Sequence, residues 1–214
     1  MATPRKWSNV AIAMESARAA AKTISAITKA NPAVCTSTTH GYTTGDFVAL
    51  TVSGMFQLDD RSARIIVLTA DTFSIEGVDS TNFDTFSTGT AEKLTFGNSI
   101  TTATSVSSSG GGYDFIDTTT IHGNSKTQMP GLPAAATYNF TNIWDTADAG
   151  LVAMKAASDA QAKKAFKFTF GSGGQILSFL GHVGCSLLPG GSAQQMVTTE
   201  AAITMNGLPN VYAS

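Results

Sequence analysis

Charge is scarce in this sequence: Asp, Glu, Lys and Arg make up 13% of its 214 residues, against roughly 25% in an ordinary soluble domain. Disorder does not explain the scarcity, because 43% of the residues are hydrophobic and a chain that apolar buries surface and folds. A folded protein with few charges leaves an uncharged skin, and such skins are covered by neighbouring subunits. Cysteine is nearly absent. Cys35 and Cys185 lie far apart and belong to no CxxC or Cys/His cluster, which excludes a disulfide framework and a zinc finger and leaves two small buried hydrophobes. No apolar run approaches the roughly 20 residues that span a bilayer, and no apolar h-region follows the basic start, so the sequence predicts synthesis in a reducing cytoplasm and no membrane partner.

Catalytic patterns are missing as well. His40, His122 and His182 have no i, i+4 partners and no HExxH, so a zinc hydrolase has no ligand set; His40 reads as a turn residue and His182 as a structural residue on a strand. There is no GxSxG. Gly171-Ser172-Gly173-Gly174 joins two strand patterns instead of opening a helix, and it lacks the Gly-Lys-Ser/Thr of a phosphate loop, which makes it a hairpin turn. Asp114 and Asp117 are three apart on a strand and point to opposite faces, which rules out a glycosidase pair. Glu76, Asp79, Asn82 and Asp84 match no EF-hand spacing and read as solvated acidic turns. The residues nominate no catalytic group, no metal and no cofactor, and the chain is read as not an enzyme.

What the sequence does contain is alternation. Val10, Ile12 and Met14 alternate with small or polar residues, predicting a strand over residues 8–16. From Thr23 to about Gly89, short β-branched segments such as Phe47 to Val52 and Ile65 to Leu68 are divided by Asn31-Pro32, His40-Gly41, Ser53-Gly54 and Glu76-Gly77, the spacing of a small antiparallel barrel or sandwich. A Ser/Gly tract at 107–112 acts as a flexible tip. Strands follow over 113–121 and 137–143, separated by a polar, Pro-containing excursion from His122 to Pro133. One helix is predicted over 146–163, capped by Asp145, with Ala147, Leu151, Met154 and Ser158 as its buried stripe. Phe166, Phe168 and Phe170 then begin a hairpin that returns over 175–183, and Val197, Thr199, Ala201, Ile203 and Met205 share one face of a closing strand.

The charges are unevenly placed. Arg5, Lys6, Arg18, Lys22 and Lys29 face the single acid Glu15 before residue 30, whereas between 30 and 92 Arg61 and Arg64 face Asp46, Asp59, Asp60, Asp71, Glu76, Asp79, Asp84 and Glu92. Boundaries near 30 and 92 suit that asymmetry. The net charge of -2 excludes a strongly basic nucleic-acid binder.

Two resemblances rest on these residues. Ile27 to Val34, His40-Gly41-Tyr42, Gly45-Asp46, Ser53-Gly54-Met55, Leu58, Thr72-Phe73 and Gly77-Val78-Asp79 resemble a small β-barrel module of tailed-phage structural proteins, named after a half-domain of ubiquitin-activating enzymes and carrying none of their chemistry. Asp59-Asp60-Arg61 stands where that module usually has an Asn-Gly turn. The rest, with its extended first strand, long polar loop, Ile143-Trp144-Asp145 entry to a helix, Phe-rich hairpin and closing strand ending Gly207-Leu208-Pro209, is similar to the major tail tube protein of long-tailed bacteriophages.

The resemblance implies a mainly β fold: a tail-tube-type β-sandwich body from 1–22 and 91–214 with one flanking α-helix, plus a peripheral, inserted small antiparallel β-barrel module at 23–90. It implies a virion protein that packs head to tail into hexameric rings, stacked as the conduit for the genome. Its implied partners are further copies of itself, the tape measure protein, tail terminator and tip proteins, and double-stranded DNA that passes without specific binding. Asp117, Thr118, His122, Asn124, Lys126, Gln128, Pro130 and Leu132 are the implied inter-ring loop, and Val10, Ile12, Met14, Val197, Thr199 and Ile203 the implied subunit-edge strands. The competing readings are a decoration or tail-fibre adhesin binding capsid or carbohydrate, and a tail-associated wall hydrolase.

Overall fold

The computed structural model describes residues 7–171 and 174–213. Seven strands come first: β1 (Val10–Arg18), β2 (Lys22–Ile24), β3 (Ala26–Ile27), β4 (Val34–Thr36), β5 (Phe47–Ser53), β6 (Arg61–Thr69) and β7 (Thr72–Ile75). The long β8 (Thr88–Ser99) and β9 (Ala103–Ser109) lead to a separate hairpin of β10 (Tyr113–Asp117) and β11 (Gln128–Pro133). β12 (Thr137–Ile143), helix α1 (Ala149–Asp159), β13 (Lys163–Phe170), β14 (Ile176–Cys185) and β15 (Thr198–Tyr212) complete the chain. The expectation of a mainly β protein with one helix holds among the described residues.

The strands outside the hairpin form one curled antiparallel sheet in the order β3-β4-β7-β6-β5-β8-β1-β13-β14-β15-β12-β9, with β2 also on β8. Residues 23–90 are therefore hydrogen-bonded into the same sheet as the remainder. β8 makes the join: its first half pairs with β5 and its second half with β1.

Alternating side chains build the buried apolar clusters. Ile24, Val48, Leu50, Ile65, Phe73 and Ile75 belong to one buried cluster; Ile12, Met14, Phe140, Phe166, Phe168 and Phe179 belong to a second, covered at one end by Leu151 and Met154 of α1. A third, smaller cluster joins Phe47 and Ala49 to Leu94, Ala165, Leu180 and Tyr212. Around it the side chain of Arg61 donates to Asn210 Oδ1 at 2.6 Å, Ser62 and Ser178 hydroxyls meet at 2.6 Å, and Lys163 pairs with Asp60. Residues 23–90 thus have a core of their own and also share one with the body.

Several elements differ in extent from the sequence reading. The helix begins three residues later than predicted and ends at Asp159, because Asp148, not Asp145, caps it by accepting from Leu151 N at 2.8 Å. Asp145 instead closes the preceding turn by accepting from Ala147 N. Its buried residues are Gly150, Leu151, Met154 and Ala157. Gly150 permits the helix start to touch β8, since a Cβ there would lie 2.3 Å from Ser99 O. Lys163 and Lys164 open β13 and do not end the helix. Strand β10 stops at Asp117, four residues short of the predicted end, and β15 continues to Tyr212. Of the proposed glycine turn, Ser172 and Gly173 lie outside the described residues.

For Met14 and Ile203 the edge-strand expectation needs correction, since strands flank them on both sides. Val10, Ile12 and Met14 lie on β1, which pairs with β13 over Val10–Met14 and with β8 over Ala13–Arg18. Thr199 and Ile203 lie on β15; Ile203 pairs with both β12 and β14, whereas Thr199 pairs with β12 and lies beyond the last β14 pair at Ala201. Val197 precedes β15 and accepts from Trp144 N at 2.9 Å. An alternation of apolar residues reports a strand with one buried face, a property that central and edge strands share. In the strand order β9 and β3 stand at the two ends, and β2 pairs on one side only.

Candidate assembly surfaces

The polar excursion folds as an arm. β10 and β11 pair only with each other, with Asp117 opposite Gln128, Ile116 opposite Met129 and Phe115 opposite Pro130. Gly111 N donates to Ala134 O and Ala134 N to Gly112 O, so the arm leaves the sheet where β9 and β12 end. Its tip is tied by polar bonds: Thr118 N donates to Thr127 O at 2.9 Å, and Thr119 N to Asp117 Oδ1 at 2.8 Å. Hydrogen bonds from the Thr119 hydroxyl and backbone N–H hold the Asp117 carboxyl below the usual carboxylate range. His122, Asn124 and Lys126 lie exposed between the strands, and Pro130 and Leu132 lie exposed on β11. All eight predicted loop residues are therefore on this one arm.

The arm also carries large apolar side chains that the chain itself leaves uncovered: Tyr113, Phe115, Ile116, Ile121, Met129 and Leu132. Exposed apolar groups concentrated on a projecting element mark a contact surface. Reading 113–121 as a strand and His122 to Pro133 as a polar excursion did not single them out; the signal was Phe115-Ile116 together with Met129 and Leu132 in an otherwise hydrophilic stretch.

A second apolar surface lies at the other end of β12. The indole of Trp144 is fixed by its Nε1 donating to Leu187 O at 2.9 Å, and Trp144 N donates to Val197 O. These bonds bring together three segments that carry the exposed Ile143, Trp144, Leu188, Met196 and Val197. The sequence reading did not single this surface out, although residues 186–199 contain no Asp, Glu, Lys or Arg.

An open groove of about 650 Å3 runs between the start of β1 and β9, lined by Trp7, Val10, Ile12, Ile100, Ala103 and Val106 among others. Among the described residues its lining holds no titratable side chain. The acids weighed for calcium are dispersed onto separate partners, Glu76 on Arg64, Asp79 on Thr81 and Asp84 on Gln57. His40 is buried, with Nδ1 accepting from Tyr42 N, while His182 sits exposed on β14. These histidines serve local structure and surface.

A mainly β chain whose distinctive features are an apolar arm and an apolar end patch is built for protein contacts. Over residues 53–214 its sequence matches the family described as phage tail tube protein, TTP, and the chain belongs to that family. It is a structural protein of the phage tail, one that assembles with its own kind into the tube. The match begins inside the segment read as an inserted module, in keeping with the continuous sheet. Comparison with the curated proteins gives no match.

Proposed function

We propose that this protein polymerises as stacked hexameric rings, that the β10–β11 arm of each copy bridges to the adjoining ring, and that the finished tube conducts the genome into the host. Family membership together with the uncovered apolar arm carries this reading. Heterologous contacts close into rings when the rotation closes and extend without limit along the stacking direction. A lumen for DNA must not retain phosphates, since lysine-lined walls bind DNA through counterion release; the net charge of -2 agrees with that demand. The acidic segment 23–90, which supplies one end of the strand order, is assigned to the outside of the tube. The tape measure protein and the terminator and tip proteins are the remaining partners of such a tube.

The Gly112–Ala134 contact makes a clean test. Replacing residues 113–133 by Asn-Gly keeps the β9–β12 hairpin and removes the arm alone. The shortened protein should melt like the wild type and show no tubes by negative-stain microscopy. Tubes of wild-type length from this variant would overturn the reading.

A further inference from the structure

The geometry points to the receiving surface for the arm: the patch of Ile143, Trp144, Leu188, Met196 and Val197 on a second copy of this chain. The inference rests on the stacked-tube reading above and names the contact that reading leaves unspecified.

Placement is the first observation. The arm departs from β12 before Thr137, and the patch begins at Ile143, the last residue of the same strand. The two surfaces stand at opposite ends of a seven-residue strand, about 20 Å long at the usual strand rise. An arm at one end and its receptor at the other cannot satisfy each other within one molecule. Translated copies can, and each copy then offers a fresh arm and a fresh patch, the open-ended arrangement a tube requires.

Chemistry is the second. The patch is open to solvent, and Leu188 also borders a shallow depression rimmed by Lys155, Asp159 and Glu200, a breadth suited to a macromolecule. Leu188 is 72% exposed and Met196 65% exposed, and no charged residue interrupts residues 186–199. The arm presents matching aromatic and aliphatic groups, with Ile121 at its tip 95% exposed. A membrane or an unrelated protein would fit the apolar patch alone; a second copy fits the patch and explains the arm. The indole is also preset, because its bond to Leu187 O fixes the ring before any partner arrives, which lowers the ordering cost of binding.

The test uses the full chain. Leu188→Glu with Met196→Glu alters only exposed side chains and should leave the melting temperature unchanged, while negative-stain images show rings or short oligomers and no tubes. Separately, Ile121→Cys protein and Met196→Cys protein are mixed, assembled and treated with a short bismaleimide. Cross-linked dimers are expected in the assembled sample and not in the dispersed one; the native thiols are buried and contribute no background. Long tubes from the double-Glu variant, or normal tubes without the cross-link, would overturn this contact and leave the tube reading intact. Failure of the wild-type protein to form tubes under any condition would overturn the tube reading and this contact with it.

Discussion

Replacing Glu15 should destabilise the protein more than its position on a strand would suggest. Its side chain is 2% exposed and sits where β1, β8 and β13 meet. The carboxylate accepts from Arg18 Nε at 2.8 Å, Arg18 Nη2 at 2.9 Å and Ala165 N at 2.7 Å, with Lys164 Nζ at 3.5 Å. Arg18 in turn reaches Glu92 at 3.3 Å and Lys163 O at 3.0 Å. Glu15→Ala leaves the Ala165 N–H buried without an acceptor, which costs about 1–3 kcal/mol by itself. Removing one partner of a buried ion pair costs about 3–5 kcal/mol; because Arg18 keeps Glu92 and is partly solvated, the low end applies. A loss of about 3 kcal/mol lowers Tm by roughly 6–12 °C in a chain of this size. Glu15→Gln retains an acceptor for Ala165 N and should lose only about half as much, since one neutral hydrogen bond is worth about 1 kcal/mol. Urea titration followed by circular dichroism reads both variants. A Glu15→Ala stability within 1 kcal/mol of wild type would refute the claim that this carboxylate holds three strands together.

The remaining predictions concern core, thiols and acid. Phe168→Ala removes a fully buried ring that meets Tyr138, Phe140 and Phe179 edge to face, and should cost about 3–5 kcal/mol by the same urea titration. Burial pushes the Cys35 thiol up to about 12 and also raises Cys185; neither should react with Ellman's reagent in the native protein at pH 8, and both should react on unfolding. For Asp46, burial acts to raise the carboxyl, but hydrogen bonds from Lys93 and Thr43 outweigh it and hold the group below its ordinary value. Its contribution is complete above the unfolded value near ~3.9 and is lost as pH falls through the lower folded value. Asp46→Asn should therefore weaken the protein at neutral pH and flatten its acid-range stability loss, as thermal melts between pH 2 and roughly 6 would record; an unchanged acid slope would contradict the assignment.

Much of this fold was legible because strands announce their buried face. The 137–143 strand has the boundaries its alternation predicted, and Phe166, Phe168 and Phe170 lie on β13 with the first two fully buried. Helix α1 was found but overrun, because Asp145 and Asp148 are both competent caps, and the close approach of Gly150 to Ser99 goes with the later start. Strand order was not legible: nothing around Met14 or Ile203 says that both flanks are occupied, since strands as far apart in sequence as β1 and β13 become neighbours only in the fold. Likewise the shift in charge near residues 30 and 92 is real, yet it does not coincide with a break in the sheet. The arm was placed by its length and turn chemistry, while the end patch escaped because its members, Trp144, Leu188 and Met196, come together only through the bonds of Trp144 to Leu187 and Val197.

One strand, β8, lines two apolar clusters at once, giving Ala91 to the first and Leu94 to the shared third, while its far end adjoins β1. Neither half can melt while the other stays whole, because peeling β8 away strips a wall from both. Heat should therefore take the subunit apart in a single calorimetric peak, with van't Hoff and calorimetric enthalpies equal, and each subunit carries no soft joint between residues 23–90 and the rest of its sheet.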